Sequence, residues 1–442
     1  MPKRVVVLGA GATGEAFLAA LRRLGRDVQI TVAEHELVGG ECSYWACIPS
    51  KTLLRPLEVL ARARLAPGAA GALEAVDVAE VFRWRDEQAG KDDTSQVEWL
   101  AKQGAELVRG TAVVEEPGLV RVGEREVPYD HLMVSTGSLP AAPPVEGLED
   151  LAHWSSREAT SASEVPESLL VVGGGAVGCE LAQFYGRVGS RVTLVQNGEH
   201  LLPRVDPEAA DILADAFREE GVELRLGAKA KRVTENGGFQ LELEGGETLT
   251  AERLLVATGR RPNVDGLGLE GVGVTVDPHG VRVDERLSAA PGVWAAGDVT
   301  GVALFTHVGK YQGRVAAANV AGHEHRADYR AIPSSIFTDP QVAAVGDTSA
   351  EGAVVSRWKL QSVSRTGTFQ RPKRPGLLKL YANPERRVLV GATAVGPEAG
   401  EWIGQLTLAI RAQVPVDVLR DTIQPFPTFS EAIYFAARDL DV

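Results

Sequence analysis

Two glycine-rich segments of the chain repeat one pattern, in which an apolar strand ends in a tight turn that opens a helix. The first is VVVLGAGATG, followed by the helical pattern AFLAALRRLG and the apolar run VQITVAE. The second is SLLVVGGGAVG, followed by CELAQFYGRVG and RVTLVQ. The GxGxxG triplets are Gly9, Gly11, Gly14 and Gly173, Gly175, Gly178. Two such units predict an α/β fold with two Rossmann-like domains.

The first triplet is predicted to hold a dinucleotide. Glycines let the backbone approach a pyrophosphate at a helix N-terminus, where unpaired N–H groups and the helix dipole favour an anion. Glu34 ends the following strand, and its carboxylate can accept a hydrogen bond from a ribose hydroxyl. The alternative, a glycine-rich turn without a ligand, fits this context less well.

The second triplet leaves the identity of its nucleotide open. The strand after it ends in Gln196, where an acidic residue would indicate NAD. No arginine follows at once to hold a 2'-phosphate, because Asn197 and Gly198 come next. A neutral glutamine tolerates either cofactor, so the site is predicted to take NADH or NADPH. The missing arginines and the third glycine, Gly178, favour NADH slightly.

Cys42 and Cys47 lie close together in the segment GGECSYWACIPSK. Short cysteine pairs also bind zinc, so the spacing alone decides little. This pair lies between a glycine-rich turn and a predicted helix start, where the helix dipole and a nearby cation lower the pKa of a thiol. The context favours a redox-active disulfide. The third cysteine, Cys179, is predicted to be a buried packing residue.

Composition argues against several classes of function. The formal net charge of −13 opposes binding to nucleic acid, which depends on Lys and Arg at phosphates. No apolar run approaches the about 20 residues that a membrane span needs. Residues 1–4 lead directly into the first strand without a signal-peptide pattern, so we predict a cytoplasmic protein with a small-molecule substrate. His323 and His325 have no further ligands at metal spacing, and no metal site is predicted.

The order of patterns along the 442 residues predicts more than one domain. The first glycine-rich unit and a later segment that includes VWAAGDVTG form one domain, over residues 1–145 and 290–330. The second glycine-rich unit forms another, over residues 146–289. Strand patterns followed by helices predict a separate α+β domain over residues 331–442.

These residues resemble the FAD-dependent pyridine nucleotide-disulfide oxidoreductases, the group of dihydrolipoamide dehydrogenase, glutathione reductase and mercuric reductase. The resemblance spans the whole chain and rests on the segments GGECSYWACIPSK, STGS, ATGRRPN and VWAAGDVTG. It implies FAD at the first triplet, NADH or NADPH at the second, and a homodimer formed through the C-terminal domain. It also implies that electrons pass from the nicotinamide through FAD to the cysteine pair.

The resemblance assigns roles to single residues. Cys42 resembles the interchange thiol that attacks the acceptor, and Cys47 the thiol that faces the flavin. Lys51 resembles the family's lysine beside the flavin, and Glu180 its ion-pair partner; an ordinary solvated charge is the alternative for each. The further cofactor-binding residues implied are Thr136, Gly137, Gly259, Gly297, Asp298 at the flavin ribitol, and His307 at the start of a helix directed at the flavin.

One segment departs from the family pattern. The disulfide reductases end in His-Pro-Thr-x-x-Glu, whose histidine serves the partner subunit's thiols as acid and base. Here the matching run is FPTFSE, with Phe426 in place of the histidine, and no histidine follows His325. Glu431 is retained, and the resemblance implies a catalytic role for it. General acid–base help contributes a factor of about 10² to 10⁴, so reduction of lipoamide or glutathione disulfide is expected to be slow.

Two enzymatic hypotheses therefore stay open. Electrons leave either through the Cys42–Cys47 disulfide or directly from FAD to a quinone, a metal ion or a dye. Tyr44, Trp45 and Phe426 are either packing residues or the walls of an apolar pocket for a planar acceptor. A redox-sensing flavoprotein is a less favoured third alternative, because a sensor has little need of a complete nicotinamide fingerprint.

Overall fold

The computed structural model describes residues 2–25, 27–71 and 75–442. The chain divides into two compact units. Unit 1 comprises Met1–Pro49, Glu87–Ala141 and Arg260–Asp328, and unit 2 comprises Ser50–Asp86, Ala142–Gly259 and Tyr329–Val442. This division in two does not test the domain boundaries expected from the sequence, which stay a prediction.

Helices and strands alternate through both units. In chain order the helices are α1 Ala12–Arg23, α2 Gly40–Tyr44, α3 Cys47–Leu65, α4 Val78–Gln88, α5 Thr94–Lys102, α6 Ser156–Ser161, α7 Ala176–Arg187, α8 Pro207–Glu219, α9 Thr306–Val320, α10 Ser364–Phe369, α11 Ala399–Arg411, α12 Val416–Asp421 and α13 Glu431–Arg438. The strands are β1 Lys3–Leu8, β2 Val28–Glu34, β3 Ala105–Arg109, β4 Ala112–Glu116, β5 Leu119–Val122, β6 Arg125–Pro128, β7 His131–Val134, β8 Ser138–Pro140, β9 Ser168–Val172, β10 Arg191–Gln196, β11 Glu223–Leu226, β12 Ala230–Glu235, β13 Phe239–Leu243, β14 Thr248–Ala251, β15 Arg253–Val256, β16 Arg260–Pro262, β17 Val276–Asp277, β18 Gly280–Val281, β19 Ser288–Ala290, β20 Val293–Ala295, β21 Pro333–Ile336, β22 Gln341–Gly346, β23 Val354–Lys359, β24 Leu377–Asn383 and β25 Val388–Gly396.

Unit 1 is built on a six-stranded sheet in the order β19-β20-β7-β1-β2-β3. Its pairs are parallel except that of β19 with β20. Successive side chains of a strand point to opposite faces, so Val5 and Val7 enter one core and Val6 and Leu8 the other. The first core also receives side chains from α1 and α9, which explains why β1 is apolar at every one of these positions.

Unit 2 contains the second parallel sheet, in the order β11-β10-β9-β15, and a three-stranded antiparallel sheet formed by β12, β13 and β14. One face of β9 packs with Phe184 and Phe217, from α7 and α8. The other face packs with Phe239 of the antiparallel sheet. Both faces of β9 are therefore covered, as its uninterrupted apolar sequence requires.

The C-terminal part of unit 2 is an α+β structure. Five antiparallel strands lie in the order β21-β22-β25-β24-β23. Side chains of α11 and α13, including Trp402, Leu406 and Ile433, form a common core with β22, β24 and β25. The fold class predicted from the sequence is thereby confirmed, with two Rossmann-like parallel sheets and a C-terminal α+β segment.

No helix in the described parts of the chain is long and apolar enough to span a bilayer. The longest, α3, has 19 residues but carries charged side chains along its length, as its sequence CIPSKTLLRPLEVLARARL shows. The predicted cytoplasmic location of the protein stays a prediction.

Candidate functional site

The first glycine triplet forms a cradle between β1 and α1. Gly9 has a φ of 91°, and a Cβ at this position would lie 2.5 Å from the carbonyl oxygen of Ser135. A Cβ at Gly14 would lie 2.4 Å from the carbonyl oxygen of Gly9. Gly11 precedes α1 without a side-chain cap, so the first N–H groups of the helix point to the open end of the cradle. The cradle has the form of an anion site.

Glu34 closes the side of this cradle and is only 7% exposed. One carboxylate oxygen accepts a hydrogen bond from the Ala10 N–H at 2.8 Å, and the other accepts from the Glu36 N–H at 2.9 Å. Each oxygen keeps a second lone pair. The carboxylate can therefore accept a ribose hydroxyl without giving up the bonds that hold it.

Asp298 lies at a second glycine turn of unit 1, where Gly297 has a φ of 87°. Its carboxylate accepts a hydrogen bond from the Ser138 hydroxyl at 2.7 Å. Burial raises the pKa of Asp298, and the Ser138 hydrogen bond and the nearby Arg260 charge oppose that rise. Ser138 in turn accepts from Arg260 at 2.8 Å, and Arg260 lies 3.5 Å from the Glu41 carboxylate.

Thr136 and Gly137 lie on the turn that follows β7. The Thr136 hydroxyl donates to the Asn263 carbonyl at 2.6 Å, and the Gly137 carbonyl accepts from the Asn263 N–H at 3.0 Å. Gly137 has a φ of 74°, in the region that favours glycine. The turn is thus held by the segment RRPN, and its role at the cofactor stays a prediction.

The structure brings the thiols of Cys42 and Cys47 together. Cys42 lies in α2 and Cys47 begins α3, and both side chains are partly exposed. A hydrogen bond between the two side chains is the largest cause that raises the pKa of Cys42, followed by burial. Cys47 also lies 3.4 Å from the hydroxyl of Thr306. The two thiols are therefore close enough for the protonation of one to affect the pKa of the other.

The two aromatic residues between the thiols are buried. Tyr44 and Trp45 meet edge to face, with ring centroids 5.6 Å apart. The Tyr44 hydroxyl donates to the Val38 carbonyl at 2.8 Å. Burial and then the charge of Asp93 raise the pKa of Tyr44 to about 12. For these two residues the structure favours packing over the wall of an open pocket.

Lys51 and Glu180 form an ion pair in unit 2, with 2.7 Å between the ammonium and the carboxylate. Glu180 is 4% exposed, and its other oxygen accepts from the Phe337 N–H at 2.9 Å. The Lys51 ammonium also lies 5.0 Å from the centroid of the Phe337 ring. The ammonium is therefore held from two sides, and its place beside a flavin stays a prediction.

The second glycine triplet repeats the geometry of the first between β9 and α7. A Cβ at Gly173, whose φ is 112°, would lie 2.4 Å from the Ala257 carbonyl oxygen. A Cβ at Gly178 would lie 1.9 Å from the Gly173 carbonyl oxygen. Gly175 precedes α7 without a side-chain cap, and the side-chain amide oxygen of Gln196 accepts from the Gly174 N–H at 2.9 Å. Gly259, with a φ of 141°, follows β15 of the same sheet.

His307 is the second residue of α9, is exposed, and stacks on Phe305 with ring centroids 5.2 Å apart. Glu431 begins α13, and one of its carboxylate oxygens is buried without a hydrogen-bond partner in the described parts of the chain. Phe426 is 74% exposed. The catalytic role predicted for Glu431 stays a prediction.

Sequence reasoning missed several residues of unit 1 that the structure places at the site. Thr306 contacts Cys47, and the charge of Lys310 lowers the pKa of Cys42. Ser138 donates a hydrogen bond to Asp298 and accepts one from Arg260. The segment FTHVGK carries one detectable signal, because residues 306 and 310 share a face if a helix begins there. No spacing in the sequence connects that face with the thiols. Among the described residues, no group of His, Cys, Asp and Glu side chains has the form of a metal site.

Two family descriptions match nearly the whole chain. Pyridine nucleotide-disulphide oxidoreductase matches residues 3–324, and the dimerisation domain of that group matches residues 332–437. The chain belongs to the pyridine nucleotide-disulphide oxidoreductase family. Its members are NAD(P)H-dependent flavin disulfide oxidoreductases that bind FAD and a pyridine nucleotide. The enzyme class predicted from the sequence is confirmed.

Similar proteins carry different names. The chain is 35% identical to a mercuric reductase of Acidithiobacillus ferrooxidans, over 98% of this chain and 82% of that protein. It is 36% identical to a dihydrolipoyl dehydrogenase of Thermus scotoductus, over 99% and 97%. Among solved structures, LpdA from Mycobacterium tuberculosis is 28% identical with a TM-score of 0.88, over 99% of both chains. The HOCl-induced flavoprotein disulfide reductase RclA from Escherichia coli is 25% identical with a TM-score of 0.86, also over 99% of both.

The residues present fit the two nucleotides that the family binds. Each cradle excludes a Cβ at its first and third glycines and opens onto an uncapped helix N-terminus. Among the described residues, the buried carboxylate of Glu34 lies at the side of the first cradle. The donors and acceptors of each cradle suit the pyrophosphate and ribose of a dinucleotide.

Proposed function

We propose that this enzyme passes electrons from NADH through FAD to a disulfide formed by Cys42 and Cys47, and from there to a small-molecule acceptor. The observation that carries the proposal is the hydrogen-bonding contact between the two thiols, which lie in α2 and at the start of α3. Two thiols in hydrogen-bonding contact need little motion to form a bond of about 2 Å.

In this proposal the first cradle holds FAD. Gly9, Gly11 and Gly14 face the pyrophosphate, Glu34 the ribose and Asp298 the ribitol. The other residues proposed at this cofactor are Thr136, Gly137, Gly297, Lys51 and His307. When bound, FAD accepts a hydride from the nicotinamide and delivers the electron pair to the disulfide.

The second cradle holds the nicotinamide dinucleotide through Gly173, Gly175, Gly178, Gln196 and Gly259. We favour NADH because Arg225, on the strand that pairs with β10, already has anionic partners. Arg225 lies 2.8 Å from the Glu223 carboxylate and 2.9 Å from that of Glu247. These pairs offer little positive charge to a 2'-phosphate.

The reduced cysteine pair would return its electrons by thiol–disulfide exchange. The Cys42 thiolate attacks one sulfur of a disulfide acceptor, forms a mixed disulfide and releases the other sulfur as a thiolate. The Cys47 thiolate then attacks the Cys42 sulfur, which restores the Cys42–Cys47 disulfide and releases the second acceptor thiolate. Two electrons and two protons leave the pair, and each acceptor thiolate takes its proton from water.

The residue at position 426 bears on which acceptor the enzyme reduces. Phe426 stands where the family pattern has its histidine, and it is 74% exposed, so no imidazole from this position protonates the leaving thiolate. An acceptor whose thiols have a low pKa leaves readily without that help. We therefore favour a low-pKa disulfide over lipoamide or glutathione disulfide.

We also propose a homodimer. The part of the chain that matches the family's dimerisation domain carries several large apolar side chains that are exposed in the single chain: Leu408, Val418, Ile423, Phe426 and Tyr434. Ile423 alone is 94% exposed. Apolar surface of this extent is typical of an interface between subunits. Light scattering of the purified protein should give twice the mass of 47.0 kDa.

The deciding experiment is Cys42→Ser, assayed for NADH oxidation with a panel of disulfides, quinones and metal ions. If electrons leave through the thiols, the variant loses disulfide reduction and still reduces its FAD with NADH. Cys179→Ala is the matched control, because Cys179 is fully buried in α7 and has no role in the proposed reaction. Unchanged turnover of Cys42→Ser with the best acceptor would contradict the thiol route.

Direct transfer from FAD to a quinone, a metal ion or a dye is a second candidate. The exposed Phe426 favours it, since such acceptors need no histidine to protonate a leaving thiolate. The relatives named mercuric reductase make a metal ion a reasonable member of the panel. Retained quinone or metal reduction in Cys42→Ser would establish this route.

A further inference from the structure

The first turn of α9 faces the thiol pair. Its first residue, Thr306, places a hydroxyl 3.4 Å from the Cys47 sulfur. Lys310 lies four residues later, on the same face of the helix. The face that meets the thiols therefore carries a hydroxyl followed by a cation.

Close packing fixes the position of α9 against α1. A Cβ at Gly309 would lie 2.2 Å from the Thr13 hydroxyl, and a Cβ at Gly313 would lie 2.7 Å from the Thr13 carbonyl oxygen. Side chains larger than hydrogen have no room at these two positions. The backbone of Lys310, next to Gly309, is thereby held in one place relative to α1.

Lys310 acts on two acidic groups. It is one of two side chains that lower the pKa of Cys42, together with Thr306, and both oppose the effects of Cys47 and of burial. It also lowers the pKa of Glu15, which burial raises. Glu15 is the residue after Gly14 in α1. The charge of Lys310 thus favours the ionised form both of a half-buried carboxylate and of the thiol that the proposed function assigns to interchange.

We propose that Lys310 is a positioning residue for the exchange reaction, which stabilises the Cys42 thiolate. This inference rests on the proposed function, in which electrons leave through Cys42. Lys310 neither gains nor loses a proton in the reaction. Cys42 releases its proton to water, its thiolate attacks the acceptor disulfide, and the ammonium favours the anion throughout. The chain thus supplies from α9 a positive charge that no histidine after His325 can supply.

A purely structural role makes a different prediction. If Lys310 only neutralised Glu15, its removal would change the stability of unit 1 and leave the reactivity of Cys42 unchanged. If Lys310 stabilises the thiolate, its removal changes that reactivity even when no acceptor is turned over. The reactivity of Cys42 is therefore the quantity to measure.

The experiment measures the rate at which iodoacetamide alkylates Cys42 in the FAD-loaded enzyme, as a function of pH. A Cys47→Ser background removes the coupled titration, and the third thiol, Cys179, is fully buried. Lys310→Met should raise the midpoint of the profile by about one pH unit and lower the rate at neutral pH by about tenfold. Lys310→Arg should keep the profile near that of the Cys47→Ser parent.

Other ionisable side chains on the helices around the thiol pair include Glu15, Glu41 and His307, and Arg260 lies 3.5 Å from the Glu41 carboxylate. All four are unchanged in these variants. Arg314→Met is the matched control, because it removes the same charge one turn later on α9, where Arg314 lies over the Tyr311 ring. An unchanged profile for Lys310→Met, or an equal change for Arg314→Met, would overturn the inference. Since alkylation needs no acceptor, that outcome is separate from the failure of the thiol route, which Cys42→Ser tests.

Discussion

The two glycine cradles have nearly the same backbone and different chemistry at their sides. In the first, Glu34 accepts from the Ala10 N–H at 2.8 Å; in the second, Gln196 accepts from the Gly174 N–H at 2.9 Å. A carboxylate and an amide carbonyl thus perform the same structural task. The fold therefore requires only an acceptor oxygen at this position. The negative charge of Glu34 is not needed for the fold and can contribute to the selection of the bound nucleotide.

The helices that leave the two cradles also correspond. Each carries a glutamate in its first turns, Glu15 in α1 and Glu180 in α7, and each glutamate interacts with a lysine. Glu180 is bonded directly to Lys51 at 2.7 Å and to a backbone N–H. Glu15 and Lys310 interact through charge. Glu15 and Lys310 thus interact less directly than Glu180 and Lys51 do, which leaves Lys310 able to affect the Cys42 thiol as well.

The largest effects are expected from substitutions that disrupt one glycine cradle at a time. Gly14→Ala and Gly178→Ala place a methyl group against a backbone carbonyl that cannot move aside, at a cost of about 3 kcal/mol or more. Gly14→Ala should purify without FAD, seen as lost flavin absorbance. Gly178→Ala should keep FAD and lose NADH affinity by about 100-fold.

Gly404→Ala is the control for both changes, because a Cβ at this position in α11 meets nothing within 4 Å. It should keep FAD and the wild-type KM for NADH. If Gly14→Ala binds FAD normally, or Gly178→Ala loses FAD and keeps NADH, the assignment of the two cradles is wrong.

The next effect concerns the glutamate of α7. Glu180→Gln keeps an acceptor for the Phe337 N–H but removes the charge that faces Lys51, so unfolding should become easier by about 2 kcal/mol. Urea denaturation measures the change. Glu80→Gln, which removes a charge from the exposed pair with Arg83, should cost less than about 0.5 kcal/mol. Equal effects of the two changes would show that the buried pair has no special structural role.

A smaller effect is expected when the side-chain chemistry of the two cradles is exchanged at positions 34 and 196. Gln196→Glu keeps an oxygen for the Gly174 N–H and adds a charge that repels a 2'-phosphate. The ratio of kcat/KM for NADH to that for NADPH should rise by about tenfold. The reciprocal change, Glu34→Gln, should weaken FAD binding by a similar factor and leave that ratio unchanged. A wild-type enzyme that already prefers NADPH would contradict our choice of NADH.

The smallest effect concerns Glu15. Burial raises its pKa, so folding favours the protonated carboxyl, and this contribution to stability is lost as pH rises through the raised value. Glu15→Gln has no such loss, so its stability relative to wild type should increase from about pH 4 to about pH 7. Lys310→Met should act in the opposite direction, because Lys310 lowers the pKa of Glu15. Denaturation curves at the two pH values check both signs.

Much of the fold could be predicted from local patterns. The glycine triplets, the apolar runs of β1 and β9 and the C-terminal strands each have a distinct periodicity, and each appears at the predicted place. The cysteine pair could be identified for the same reason, since its two residues are close in sequence. The burial of Tyr44 and Trp45 could not be decided, because large aromatic side chains suit both a core and a pocket.

By itself, the sequence determined two dinucleotide cradles, a neighbouring pair of thiols and the absence of a histidine after His325. These are properties of short segments, in which backbone conformation and residue type are closely linked. Only the tertiary structure decided that Lys310 lies near Cys42 and that Arg260 lies near Asp298. The interaction of two charges depends on their distance in space, which residues so far apart in the chain acquire only when the sheet and helices of unit 1 pack together.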